Sequence, residues 1–154
     1  MGCVDPPFSG GLLAASEISA DKLAVYYAAH YSVGVGAGRF TLRIGERSPE
    51  LRRLYSSDSQ SCGIFITAFN PFGQIQVDAE NETAHSQLGD DLGAASSCVI
   101  EGEGADAMGV WPAEKSYLAL GVNEESARSL GKRWRQDAVV WVGEDATPKL
   151  IILR

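Results

Sequence analysis

Basic residues are missing from the middle of this chain. Residues 54–114 contain Asp58, Asp78, Glu80, Glu82, Asp90, Asp91, Glu101, Glu103, Asp106 and Glu114 and not one Lys or Arg. With a net charge of -7 over 154 residues, that gap argues against a bare nucleic-acid backbone as partner, because displacing its counterions takes clustered cations. Histidine is almost absent too: His30 and His85 are too few for a histidine-based zinc site. His30 reads as a packed helix residue and His85 as part of a solvated helix face. Cysteine is scarce, and Cys3, Cys62 and Cys98 are an odd number at spacings that fit neither a zinc nor a redox motif. A disulfide framework is therefore not expected, and a reducing cytoplasm is the expected compartment. Cys62 and Cys98, at expected strand starts, read as small buried thiols rather than nucleophiles. No stretch is apolar for long enough to cross a bilayer. The opening MGCVDPPFSGGLLAAS, which has no basic residue and is broken by Asp5, Pro6 and Pro7, predicts no signal peptide.

What is present is an ordinary globular composition, 45% hydrophobic and 21% charged, at a length that most simply makes one domain. Residues 1–18, rich in Pro and Gly, predict a flexible arm, and residues 19–154 a single domain. Ser19 is placed to cap a helix over about residues 20–30. Phe40, Leu42 and Ile44 alternate with Arg39, Thr41 and Arg43 as a half-buried strand, after glycines that suggest a turn or bulge. Ser48, Pro49 and Glu50 open a helix in the order of cap, N1 proline and first-turn acid. Residues 64–69, IFITAF, read as a strand buried on both faces, ended by Asn70 and Pro71. A helix over about residues 78–92 carries Ala84, Leu88 and Leu92 as one apolar stripe. Residues 97–100 and 117–122 read as strands around a loop at 101–114. Asn123 caps a helix that begins with Glu124 and Glu125 and ends among Arg128, Lys132 and Arg133, the order that the helix dipole favours. Strands at 138–142 and 149–153 close the chain. These elements interleave without a strict βαβ rhythm, so the expected fold is α+β, a mixed or largely antiparallel sheet with about four helices packed on it. The last strand, apolar on both faces, predicts either an interior place in the sheet or cover from a second subunit, hence a homodimer.

The acidic region is the main functional clue. Asp78, Glu80, Glu82, Asp90, Asp91, Glu101, Glu103 and Asp106 form an expected contact face for a Lys/Arg-rich protein surface, with Trp111 as an anchor. Glu101, Glu103, Asp106 and Glu114 also stand among Gly102, Gly104 and Gly109 in the 101–114 loop. Their spacing does not fit a calcium loop, and they read as solvated, so no metal and no cofactor is expected. A rival reading takes Asn70, Glu80, Asn81, Asp106 and Glu114 as the convergent polar site of a small enzyme or metal binder, which requires them to line one pocket. Asn70 and Asn81 otherwise read as ties between strand, turn and helix. Arg39, Arg43, Arg47, Arg52 and Arg53 are placed to neutralise the acidic region across the fold or across a dimer interface.

Phe65, Ile66, Thr67, Ala68, Asn70 and Pro71, then Glu80 and Asn81, then Gly102, Gly104, Asp106, Gly109, Trp111, Glu114 and Ser116, resemble the pattern of a family of short bacterial domains of unknown function, over roughly residues 25–142. The chain departs from that pattern at Lys115, where the family carries a second acid, and at Arg135, where it carries a small residue. The resemblance implies a fold and a shared polar cluster but no reaction. A second resemblance, in size and acidic charge alone, is to type I-F anti-CRISPR proteins of phages and mobile elements. It implies a non-enzymatic inhibitor in the bacterial host cytoplasm. Such an inhibitor docks on a basic surface of a CRISPR effector complex and blocks DNA binding or nuclease recruitment, with no direct nucleic-acid or membrane contact.

Overall fold

The computed structural model describes residues 17–154. Cys3 and most of the arm expected over residues 1–18 lie outside them. The last two residues of that arm are fastened: Ile18 is buried, and the Glu17 carboxylate lies 3.5 Å from the Arg154 guanidinium.

Strands β1 (His30–Val33), β2 (Phe40–Leu42), β3 (Gly63–Thr67), β4 (Val99–Ala105), β5 (Glu114–Leu120), β6 (Ala138–Val142) and β7 (Pro148–Ile152) form one sheet in the order β2-β1-β4-β5-β3-β6-β7. Every neighbouring pair is antiparallel. With helices α1 (Ala20–Ala28), α2 (Pro49–Asp58), α3 (Asp78–Ala95) and α4 (Glu124–Arg133), this is the α+β fold expected from the sequence. Ser19, Ser48 and Asn123 each accept the amide hydrogen of the residue three positions on, and so start α1, α2 and α4. Losing such a cap costs about 1 kcal/mol. α3 has no side-chain cap and opens on Asp78 and Glu80, whose charges complement the helix dipole.

β3 lies between β5 and β6 and alternates its side chains between two cores. Phe65 joins Tyr31, Val33, Leu42, Leu118, Leu120, Val140 and Val142 under Leu51 and Tyr55 of α2. Ile64 and Ile66 join Ala119, Val139, Trp141 and Ile151 under Leu88 and Leu92 of α3 and Ala127 of α4. The sheet curls: Tyr31 of β1 meets the Phe65 ring edge-on at 5.5 Å although two strands separate them. Gly102 permits that closure, since a Cβ there would lie 2.2 Å from the Ser32 carbonyl oxygen and 3.1 Å from the Phe65 ring.

Four expectations are corrected. His85 is 6% exposed, not solvated. It sits on the same stripe as Leu88 and Leu92, stacked on Tyr117 at 4.2 Å and edge-on to Phe69 at 6.0 Å. His30 begins β1, because α1 stops at Ala28. The 101–114 loop is largely strand: β4 runs through Ala105 and β5 starts at Glu114. The alternation of that hairpin therefore splits its acids, with Glu101 and Glu103 toward the α3 face and Glu114 on the opposite face. Finally, β7 is an edge strand rather than an interior one. Its apolar faces are covered within the chain: Ile151 packs in the core beside α3 and α4, and Leu150 packs against the core beneath α2.

Candidate functional site

Where β3 ends, Asn70 turns the chain in the left-handed region (φ 48°, ψ 65°), which asparagine tolerates better than most residues. Asn70 and Asn81 of α3 then bind each other twice. The Asn70 amide N–H donates to Asn81 Oδ1 at 2.9 Å, and Asn81 Nδ2 donates to Asn70 Oδ1 at 3.0 Å. Gln76 closes the network, donating its backbone N–H to Asn70 Oδ1 and its side-chain Nε2 to Asn81 Oδ1. These are the ties between strand, turn and helix that the sequence suggested. They also aim the Asn70 amide nitrogen outward, to donate to Glu114 Oε2 at 2.8 Å.

Glu114 borders a cavity of about 130 Å³ between α1 and the curled sheet. Sheet residues Phe65, Thr67, Gly104, Ser116, Val140 and Leu150 lie on one side, and Lys22, Val25 and Tyr26 of α1 with Ala29 just after it on the other. Gly104 keeps the space open: a Cβ at that position would meet only Ser116 Oγ at 3.8 Å and Tyr31 Cδ1 at 3.9 Å. Burial pushes the Glu114 carboxyl above the usual carboxylate range, and the Asn70 hydrogen bond and the Lys22 charge offset only part of that. Its Oε1 has no hydrogen-bond partner among the described residues. Burial also raises Tyr26 and Tyr31 far beyond neutral pH, with the charges of Asp137 and Glu114 adding to the effect on Tyr26 and that of Glu114 on Tyr31. Both phenols are un-ionised.

Beside the cavity Asp137, 3% exposed, is held by Lys22 Nζ at 2.6 Å, an Arg154 guanidinium nitrogen at 2.7 Å and the Tyr26 hydroxyl at 3.0 Å. Burial pushes this carboxyl up, but hydrogen bonds from Lys22, Arg154 and Tyr26 outweigh it and leave the group below its ordinary range. Nothing in the sequence singled out Asp137, and Tyr26 stands 111 residues before it.

Of the residues expected to form one acidic contact face, five lie on α3 and Glu101 and Glu103 on β4 toward it, whereas Asp106 and Trp111 stand apart by the cavity. Asp78, Glu80, Glu82 and Asp90 are exposed on α3, and Glu82 pairs with Lys115 at 3.0 Å. Asp91 accepts from the Trp134 indole at 3.2 Å and lies 3.5 Å from Arg133. Glu101 is 3.4 Å from His85 Nε2, and Glu103 is 3.7 Å from Arg39. Asp106 turns its carboxylate onto the amides of Met108, Val110 and Trp111, which holds it below its ordinary range. Trp111, 45% exposed, lines the cavity beneath α1, not the α3 face. Of the rival set, Asn70, Asn81 and Glu114 come together, Asp106 borders the same cavity with its oxygens engaged elsewhere, and Glu80 points away on α3 beside an open groove at Trp134. Cys98 is pushed up to about 11 by burial and by its hydrogen bond with Asp58, which leaves it protonated and unreactive.

Among the described residues no three His, Cys, Asp or Glu side chains stand close enough to hold a metal ion, and no helix is long and apolar enough to cross a membrane. A family model described as a protein of unknown function (DUF3293) matches residues 66–139, which run from the end of β3 into β6 and include Asn70, Asn81, Asp106, Glu114 and Asp137. The anti-CRISPR resemblance has no counterpart in that match. No curated protein and no solved structure matches the chain.

Proposed function

We propose that the protein is a small-ligand-binding domain that works through Glu114 in the cavity beneath α1. The observation that carries this reading is a half-buried carboxyl with one unengaged oxygen beside a partly open cavity of about 130 Å³. A carboxyl in that setting can accept a hydrogen bond from a ligand or pair with a cationic group on it. Substitution of Gly104 by valine tests the site. The side chain projects into the cavity, its Cβ meets nothing closer than 3.8 Å, and β-branched residues suit a strand. In a ligand-observed NMR screen of small fragments against the full chain, hits are expected to disappear with Gly104→Val. Hits that persist in that variant would place binding elsewhere and remove this reading.

A second reading keeps the acidic exterior as a docking face for a Lys/Arg-rich surface, such as that of a type I-F CRISPR effector complex whose DNA binding or nuclease recruitment it would block. It is favoured by α3, which carries Asp78, Glu80, Glu82, Asp90 and Asp91 and no Lys or Arg. Complementary charge of this kind speeds encounter and selects partners. Reversing Asp78, Glu80 and Asp90 to lysine is expected to abolish association with the purified effector complex, measured at low and at high salt. Unchanged association would remove the idea.

A further inference from the structure

We propose that the cavity recognises a compact organic cation, an ammonium or amidinium group on a small apolar body, with the cation seated on Glu114. This rests on the reading of the cavity as the functional site and adds the chemical class of its ligand. The hydrogen-bond donors around the cavity carry the inference, because nearly all of them are already engaged. Ser116 donates to the Glu114 carbonyl oxygen at 3.0 Å and Thr67 to the Lys115 carbonyl oxygen at 2.6 Å. Tyr31 donates to the Tyr26 carbonyl oxygen at 2.6 Å, and Tyr26 to Asp137 Oδ2 at 3.0 Å. Gln136 Nε2 donates to the carbonyls of Phe69 and Trp134. A hydroxyl has one hydrogen and a primary amide two, so each of these side chains can offer a ligand only lone pairs.

Glu114 Oε1 adds a further acceptor. Donors with hydrogens to spare are the Lys22 ammonium, already held by Asp137 and the Phe72 carbonyl, and the Trp111 indole, and both side chains are partly exposed. A ligand that enters therefore meets acceptors and ring faces. An anion would find a carboxyl and few donors, whereas a cation with several N–H groups would satisfy the acceptors through charge-assisted hydrogen bonds. Phe65 and Tyr31 add π-surfaces that favour positive charge. The volume of about 130 Å³ sits just below the roughly 150 Å³ cavity that accommodates benzene. A body of about six heavy atoms therefore fits the inner part of the cavity.

Calorimetric titration of the full chain with cyclopentylamine, cyclopentanol and cyclopentanecarboxylate separates the possibilities, since the three share one body. The amine is expected to bind at least about tenfold more tightly than the alcohol, with the carboxylate weakest. Glu114→Gln is expected to bring the amine down to the level of the alcohol, and Gly104→Val to abolish binding of both; a thermal melt establishes that each variant is folded. Should the alcohol equal the amine, or Glu114→Gln keep the preference, the cation assignment is overturned, while loss of binding in Gly104→Val still upholds the cavity as the site. Equal binding of all three compounds to Gly104→Val overturns both.

Discussion

At the scale of single residues, two carboxyls by one cavity are shifted in opposite directions. Asp137, below its ordinary range, contributes stability that is fully present above the usual aspartate value of about 3.9 and is lost as pH falls through its lower folded value. Asp137→Asn is accordingly expected to cost about 2 kcal/mol at pH 7 through weakened charge-assisted hydrogen bonds. In urea denaturation that difference should disappear once the parent protein is itself acidified below the folded value. Glu114 has the reverse sign. Its raised folded value means that ionisation at pH 7 opposes folding, and the penalty is relieved as pH falls toward the ordinary glutamate range. Glu114→Gln, which can still accept from Asn70, is expected to be more stable than the parent at pH 7. The gain should shrink to nothing near pH 4, followed by parallel melts at the two pH values. Asn70 was legible in the sequence because it stands at the break before Pro71, and Asn81 and Glu114 because they stand in polar runs beside apolar strands. Asp137 was not, because its partners come from α1 and from the last residue of the chain, and only folding brings them together.

At the scale of elements, β4 was legible only as far as Ile100, and its continuation through Ala105 read as loop. The run Glu101, Gly102, Glu103, Gly104 looks like a flexible acidic loop because glycine weakens every strand signal. Its period of two was nevertheless the true pattern: the glutamates face α3, and the glycines face the curl and the cavity. The two glycines have different reasons to be there, and alanine separates them. At 102 a Cβ would run into the Ser32 carbonyl oxygen, which is backbone and can yield only by shifting β1. Gly102→Ala is expected to cost roughly 3 kcal/mol. At 104 a Cβ makes ordinary contacts, and the loss of glycine's freedom in the unfolded chain should stabilise by about 0.4–1 kcal/mol. Comparative thermal denaturation of the two variants checks the contrast, and equal destabilisation would mean that the curl at 102 is not sterically set. The misreading of His85 belongs to this scale as well. A polar residue on a helix stripe reads as solvated until the sheet beneath supplies a ring such as Tyr117 to stack against it.

At the scale of the whole molecule, the antiparallel α+β arrangement followed from the order of elements and from caps that the structure retains. The order of strands did not, since β3 inserts between β5 and β6, a choice fixed by which faces bury together rather than by any local signal. That placement leaves β7 at one edge, where the sequence had required an interior position or a second subunit to cover its apolar residues. The cover comes from the chain itself: Ile151 and Leu153 pack with α3 and α4, and Leu150 with the opposite core. At β7 itself a dimer thus has only the backbone edge to use. Pro148 and Lys149 sit on that strand, and the Pro148 carbonyl already accepts from the Gly45 amide at 2.9 Å. Proline and lysine on an edge both oppose pairing with another sheet. Light scattering after size exclusion at micromolar concentration is therefore expected to give the mass of one chain, 16.4 kDa. A doubled mass would point to the second open edge, β2, or to the exposed apolar side chains Phe72, Ile75, Val77 and Trp111. Replacing Ile75 and Val77 with serine would then tell the two apart, because only the apolar interface would dissociate.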